Sequence, residues 1–129
     1  MIYSGAYDYI NVLDKAADAS WLRDTAIANN IANNDTPGYK RQEVDFESVL
    51  ERELKRTQYE SLDTKVKNLH LTHLNVKQYT DHSAYSYRID DNNVDIDTEN
   101  VELAANQIKY QGLVDSMTHE FTRLKAVMK

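Results

Sequence analysis

Along the first third of the chain, apolar residues recur in alternating steps of three and four. Ile10, Leu13, Ala17, Ser20, Asp24, Ile27, Ile31 and Asn34 form one line, apolar at both ends and small or polar in the middle. This spacing predicts an amphipathic helix with a partner along that seam, and Asn11, Asp14, Asp18, Thr25 and Asn29 fall on the opposite face. The helix must stop ahead of Pro37, because proline disfavours α geometry in the preceding residue. Thr36-Pro37-Gly38-Tyr39 then has proline and glycine at the central positions of a type II turn. A shorter helix is predicted from Asp45, whose carboxylate can cap it, with Phe46, Val49, Leu50 and Leu54 on one side.

From Thr57 to Asn93 the pattern fades. Leu69, Leu71, Leu74 and Val76 alternate, as do Tyr85, Tyr87 and Ile89, which admits short strands, a hairpin or a mobile loop. The last third is the clearest element. Asp97 is the predicted N-cap, and Glu99 and Glu102 near the start with Arg123, Lys125 and Lys129 near the end complement a helix dipole. Leu103, Tyr110, Val114, Met117, Phe121, Leu124 and Met128 keep coiled-coil spacing, with Gln107 as the polar interruption. Val101, Ala104, Ala105, Ile108 and Gly112 make a second stripe. The expected fold is therefore mainly α. Long N- and C-terminal helices pair as a coiled coil, with a short helix and a mostly irregular or small β segment between them. The parts are residues 1–40, 41–96 and 97–129 of one elongated structural domain.

A chain of 129 residues with 41% hydrophobic content suffices for one domain, yet two phenylalanines and one tryptophan leave little for a third core layer. An extended molecule is expected. The formal charge of -6 disfavours nucleic acid as a partner. Lys40, Arg41, Arg52, Lys55 and Arg56 are interleaved with Glu43, Asp45, Glu47, Glu51 and Glu53, the pattern of a solvated face. With no cysteine there is neither a disulfide framework nor thiolate chemistry. The first residues lack the basic and apolar regions of a secretory signal, and no run reaches the length for direct membrane insertion. Tyr39, Tyr59, Tyr79, Tyr85 and Tyr87 lie between the helices, where such rings serve either contact surfaces or ordinary partial burial. His70 and His73 have no third metal ligand fixed by spacing. Asp90, Asp91, Asp95 and Asp97 lack the glycine and terminal glutamate of a calcium loop, and read instead as a helix-capping acidic loop. No phosphate loop or nucleophile-and-base arrangement is visible, so neither an enzyme nor a cofactor is expected.

Asn29, Asn30, Asn33 and Asn34 together cost an isolated helix about 2 kcal/mol, which requires compensation from outside it. The stretch that holds them, "ANNIANNDTPGYKR" from Ala28 to Arg41, resembles the signature near the N-terminus of bacterial flagellar rod, hook and hook-associated proteins. Short length, "EVDFESVL" after the signature, and "NNVDIDTENVELAANQIKYQGLV" from Asn92 to Val114 resemble the proximal rod members of that family. Among these, FlgC shares the signature and a similar length but typically differs in its C-terminal pattern. The resemblance implies a non-enzymatic subunit that leaves the cytoplasm through the flagellar type III export apparatus without a cleaved signal. Its terminal helices, poorly ordered in the monomer, would assemble as a coiled coil around the channel of the periplasmic rod. Implied partners are further copies of the chain, FlgC and distal rod proteins, and the basal-body adaptor FliE. The resemblance implies a subunit-contact role for Asn29, Asn30, Asn33, Asn34, Thr36, Pro37, Gly38 and Tyr39. It gives the same role to the seam, Ile10, Leu13, Ile27 and Ile31 with Leu103, Tyr110, Val114, Met117, Phe121, Leu124 and Met128. Periodicity by itself fits a soluble coiled-coil adaptor equally well, since a heptad shows that a helix has a partner and not which one.

Overall fold

The computed structural model describes residues 7–56, 60–82 and 88–128. Helix α1 spans Asp8–Ala32 and helix α4 spans Ile96–Val127, so they are about 37 and 48 Å long at 1.5 Å per residue. They pack antiparallel, with Asn30 meeting Glu99 at one end and Ser20 meeting Asn106 further along. Between them come β1 (Gln42–Glu43), α2 (Glu47–Lys55), α3 (Leu62–Lys67), a 3-10 turn (Leu71–Leu74) and β2 (Tyr79–Thr80). The architecture is thus mainly helical, with paired terminal helices and a small sheet between. Its accessible surface of 8829 Å² exceeds the about 7,000 Å² of a compact monomer of 14.9 kDa, as an elongated shape requires.

Local chemistry accounts for the short elements. Asp45 accepts the Ser48 N–H at 3.1 Å and so caps α2 as its position predicts. Ser61 does the same for α3 through the Thr64 N–H. Phe46, 4% exposed, meets Ala19 of α1 and Leu74, and Val49, Leu50, Leu69, Leu71 and Val76 pack around them. The alternation from Leu69 to Val76 therefore marks burial rather than strands. Leu71 and Leu74 lie three apart in a 3-10 turn, where such positions eclipse and share one face. Among the described residues, the only strand pairing of this stretch is β2 with β1, antiparallel, with Gln42 opposite Thr80 and Glu43 opposite Tyr79. The alternation at Tyr85 and Tyr87, like Tyr59, lies outside the described residues.

The N-cap of α4 is Asp95 and not Asp97. Asp95 is extended (φ -108°, ψ 108°), so its carboxylate reaches forward to accept from the N–H groups of Asp97 and Thr98, whereas Asp97 is already helical. Asp95→Ala should cost about 1 kcal/mol in a urea melt and Asp97→Ala clearly less; equal losses would count against this cap.

Candidate functional site

The signature stretch ends α1 and turns the chain. Gly38 has φ +73°, and the Tyr39 N–H donates to the Thr36 carbonyl at 3.3 Å, the geometry of a type II turn. The turn is tied down by the Gly38 N–H to the Asp90 carbonyl, 2.6 Å, and by the Asn93 N–H to the Tyr39 carbonyl, 3.4 Å. Among the described residues a Cβ at Gly38 would meet nothing within 4 Å, so it is the backbone conformation that opposes a side chain there. Gly38→Val should therefore destabilise by about 1–2 kcal/mol, and Gly38→Ala by less, in parallel melts. A valine variant as stable as the parent would remove the positive φ from the account.

The last carbonyls of a helix have no partner within it, and α1 has no basic residue in its final turn to meet them. The carbonyls of Asn29 and Ile31 accept the backbone N–H groups of Asn33 and Asn34, and past the helix end distant side chains supply donors to the carbonyls that follow. Asn92, 1% exposed, gives its amide hydrogens to the carbonyls of Asn33, Asn34 and Thr36 at 2.9, 3.1 and 2.8 Å, and Arg88 donates to the Asn34 carbonyl at 2.6 Å. Within the signature, the Asn33 amide donates to the Asn29 carbonyl, and the Thr36 hydroxyl donates to Asn33 Oδ1.

Asn30 is fully buried and uses both ends of its amide. Its Nδ2 donates to the Gln42 carbonyl at 2.9 Å and to Glu99 Oε2 at 3.2 Å, while its Oδ1 accepts from the Gln42 N–H and the Tyr39 hydroxyl. Glu99, 1% exposed, also accepts from Arg41 Nε at 2.8 Å, and Arg41 Nη1 reaches Asp81 at 2.9 Å and Glu43 at 3.2 Å. Burial works against the Arg41 charge, but the hydrogen bonds to Glu99 and Asp81 outweigh it and push the guanidinium above its usual range. Burial first, and the Glu99 charge second, raise the Tyr39 phenol, which stays a neutral donor toward Asn30. Asn93 completes the hub by accepting from the Arg41 N–H and donating to the Asp81 carbonyl. A second polar contact crosses the helix pair where Asn106 donates to the Ser20 carbonyl at 2.8 Å and to Asp24, and accepts from the Ser20 hydroxyl. Among the described residues, no buried side-chain nitrogen or oxygen lacks a partner.

The expected residues thus fall into distinct settings. Asn30 is consumed inside the chain and Asn33, Asn34 and Tyr39 are half-buried, whereas Asn29, Thr36, Pro37 and Gly38 are exposed. On the seam, Ile10 and Ile27 are buried, and Leu13, Ile31, Leu103, Tyr110, Val114, Met117 and Leu124 half-buried, while Phe121 and Met128 are 49% and 69% exposed. Gln107 is exposed, and the polar residues that interrupt the seam are Asn106 and Glu99. The line facing α1 is Glu99, Leu103, Asn106, Tyr110, Met117 and Leu124, because Asn106 finds carbonyl, carboxylate and hydroxyl partners on α1 that Gln107, one position round, does not face. Arg41, Asp81, Asn92, Glu99 and Asn106 therefore carry more of the structure than periodicity indicated. Their signal was polarity in phase with the seam or beside the turn. The rings of His70 and His73 lie tilted at 46° with centroids 5.1 Å apart, and among the described residues no cluster of three potential metal ligands forms. Among the described residues, no helix is long and apolar enough to cross a membrane.

No protein-family model matches the chain. It is similar to curated relatives from several bacteria, each described as flagellar basal body rod protein FlgB. The relative from Bacillus subtilis (strain 168) is 37% identical over 127 residues, covering 98% of this chain and 95% of its own. That from Borrelia hermsii is 36% identical over 139 residues, covering 96% and 93%. That from Escherichia coli (strain K12) is 29% identical over 114 residues, covering 83% of each. With identity above 30% sustained along nearly the full length of both chains, on a fold of two paired terminal helices, the protein belongs to the FlgB family of flagellar basal body rod proteins.

Proposed function

We propose that this chain polymerises through α1 and α4 into the proximal rod, the periplasmic part of the flagellar axis that transmits torque and encloses the export channel. The role is structural. The observation that carries it is the state of the helix pair: the hub fixes the end near Asn30 and Glu99, while further along α4 the seam residues Phe121 and Met128 stay 49% and 69% exposed. Apolar residues at seam spacing that one chain leaves half covered call for neighbours of the same kind. Asn29 and the exposed Thr36-Pro37-Gly38 turn are the parts of the signature free to meet another subunit, since Asn30 is committed within the chain. The proposed partners are further copies, FlgC, distal rod proteins and the adaptor FliE, reached by type III export without a cleaved signal. Basal bodies purified from cells that express a tagged version should contain it in the rod, and cells without the chain should lack rods and not swim. Normal rods and motility in its absence would refute the assignment.

A further inference from the structure

Helix α4 is tied to its surroundings in its first half and only to itself in its second. Glu99 and Asn106 bond to side chains of α1, Lys109 pairs with Glu47 of α2, and Tyr110 lies against Trp21 with ring centroids 6.2 Å apart. Past Tyr110 these ties stop. Among the described residues, every hydrogen bond and ion pair made by an α4 side chain from Gln111 onward returns to α4. Both buried residues of the helix, Glu99 and Asn106, lie before that point, and beyond it Leu113, Val114, Met117, Glu120 and Leu124 are half-buried and the rest exposed.

The backbone changes character at the same place. Gly112 stands in the helix interior, where glycine is disfavoured, and among the described residues a Cβ there would meet nothing within 4 Å, so no close approach in this molecule asks for it. One turn on, the Ser116 hydroxyl donates to the Gly112 carbonyl at 2.8 Å. Thr118 does the same to the Val114 carbonyl at 3.0 Å, and Thr122 to the Thr118 carbonyl at 2.9 Å. A hydroxyl that shares a carbonyl with the helical N–H loosens that turn and favours bending, and a glycine paired with a serine is a common seat of helix kinks. We propose that Gly112 and these three shared carbonyls form a hinge, about which residues 113–128 swing off α1 as an intact helix while residues 96–110 stay docked. The hub and the Asn106 contact hold the register throughout. The swinging arm is about 24 Å long, so a bend of about 20° carries its tip about 8 Å and presents the distal end in a second direction. Gly112 leaves α geometry in the swung state, which glycine accepts more readily than alanine.

The chain has no cysteine, so introduced thiols take spin labels at chosen positions only. Asn11→Cys with Lys125→Cys spans the swinging arm, and Ala28→Cys with Glu102→Cys spans the docked half; all four positions are exposed. Distances between the labels, measured by pulsed electron resonance on the whole chain at low concentration, should fall into two populations for the first pair, about 7 Å apart for a bend of about 20°. The second pair should give one. Gly112→Ala in the first pair should raise the ratio of docked to swung about fivefold, the factor that separates the two residues in a helix interior. Ser116→Ala should move the ratio the same way by less. A single narrow population for the first pair overturns the hinge, as does a ratio that Gly112→Ala leaves unchanged. So does a gain of helix content by circular dichroism in Gly112→Ala as the swung population falls, because the arm would then be melting and not swinging.

Discussion

Arg41→Ala should destabilise the folded chain by about 3–5 kcal/mol, the usual cost of removing one partner from a buried ion pair. One guanidinium meets three carboxylates. Glu99 is 1% exposed and Asp81 11% in its side chain, so neither can turn to water when the cation goes. The more exposed Glu43 contributes little, since surface pairs are worth at most about 1 kcal/mol. Asn30 would still donate to Glu99 Oε2, but a neutral amide does not offset a buried charge. Arg41→Lys should fall between, because an ammonium cannot fork to Glu99 and Asp81 at once. Adding Glu99→Gln to Arg41→Ala removes the stranded charge and should recover a large part of the loss. Urea melts of the four proteins decide the matter. If Arg41→Ala lies within about 1 kcal/mol of the parent, the buried-charge account of the hub fails.

The largest effect on assembly is expected from Phe121→Asp. In the single chain the ring is already half in water, so the substitution should cost the free subunit little. In the rod that remaining half would be covered, worth about 1 kcal/mol of apolar burial per contact, and a carboxylate there would also need several kcal/mol of desolvation. Every copy carries the defect. The variant is expected to be expressed and exported yet missing from basal bodies, leaving cells non-motile. Thr122→Asp is the control, since Thr122 is exposed one position round the helix and its hydroxyl bonds only the Thr118 carbonyl of its own turn. Normal swimming with Phe121→Asp, or equal failure of both variants, would take Phe121 out of the interface.

Both substitutions probe features that were unequally visible in the chain. The helix pair was legible because Ile10, Ile27, Leu103, Tyr110, Met117 and Leu124 repeat at a spacing that only a partnered helix explains. The turn was legible because proline and glycine restrict the backbone locally. The hub was not. Glu99 sits in the first turn of α4, where an acidic residue ordinarily serves the dipole in solvent, and its burial depends on an arginine that is 58 residues away in sequence. Asn106 was hidden differently. Seven residues from Glu99 and in phase with Leu103 and Tyr110, it lay on the facing line, but Gln107 next to it fitted the alternative register equally well until Ser20 and Asp24 were seen opposite. The Leu69 to Val76 stretch misled because alternation and a 3-10 turn both bring every second or third residue to one side.

The span of the polar contacts has a consequence for timing. Arg41 to Asp81 closes a loop of 40 residues, Asn30 to Glu99 one of 69, and Ser20 to Asn106 one of 86. Loops of that length delay folding, because their entropy must be spent before the contact returns anything. If the subunit is exported unfolded along the route proposed above, α1 would stay without its tertiary partners until residues near the far end of the chain had also cleared the exit. Folding would then be a property of the destination, and the late arrival of Glu99 and Asn106 would keep the transported polypeptide unknotted and threadable for nearly its whole passage.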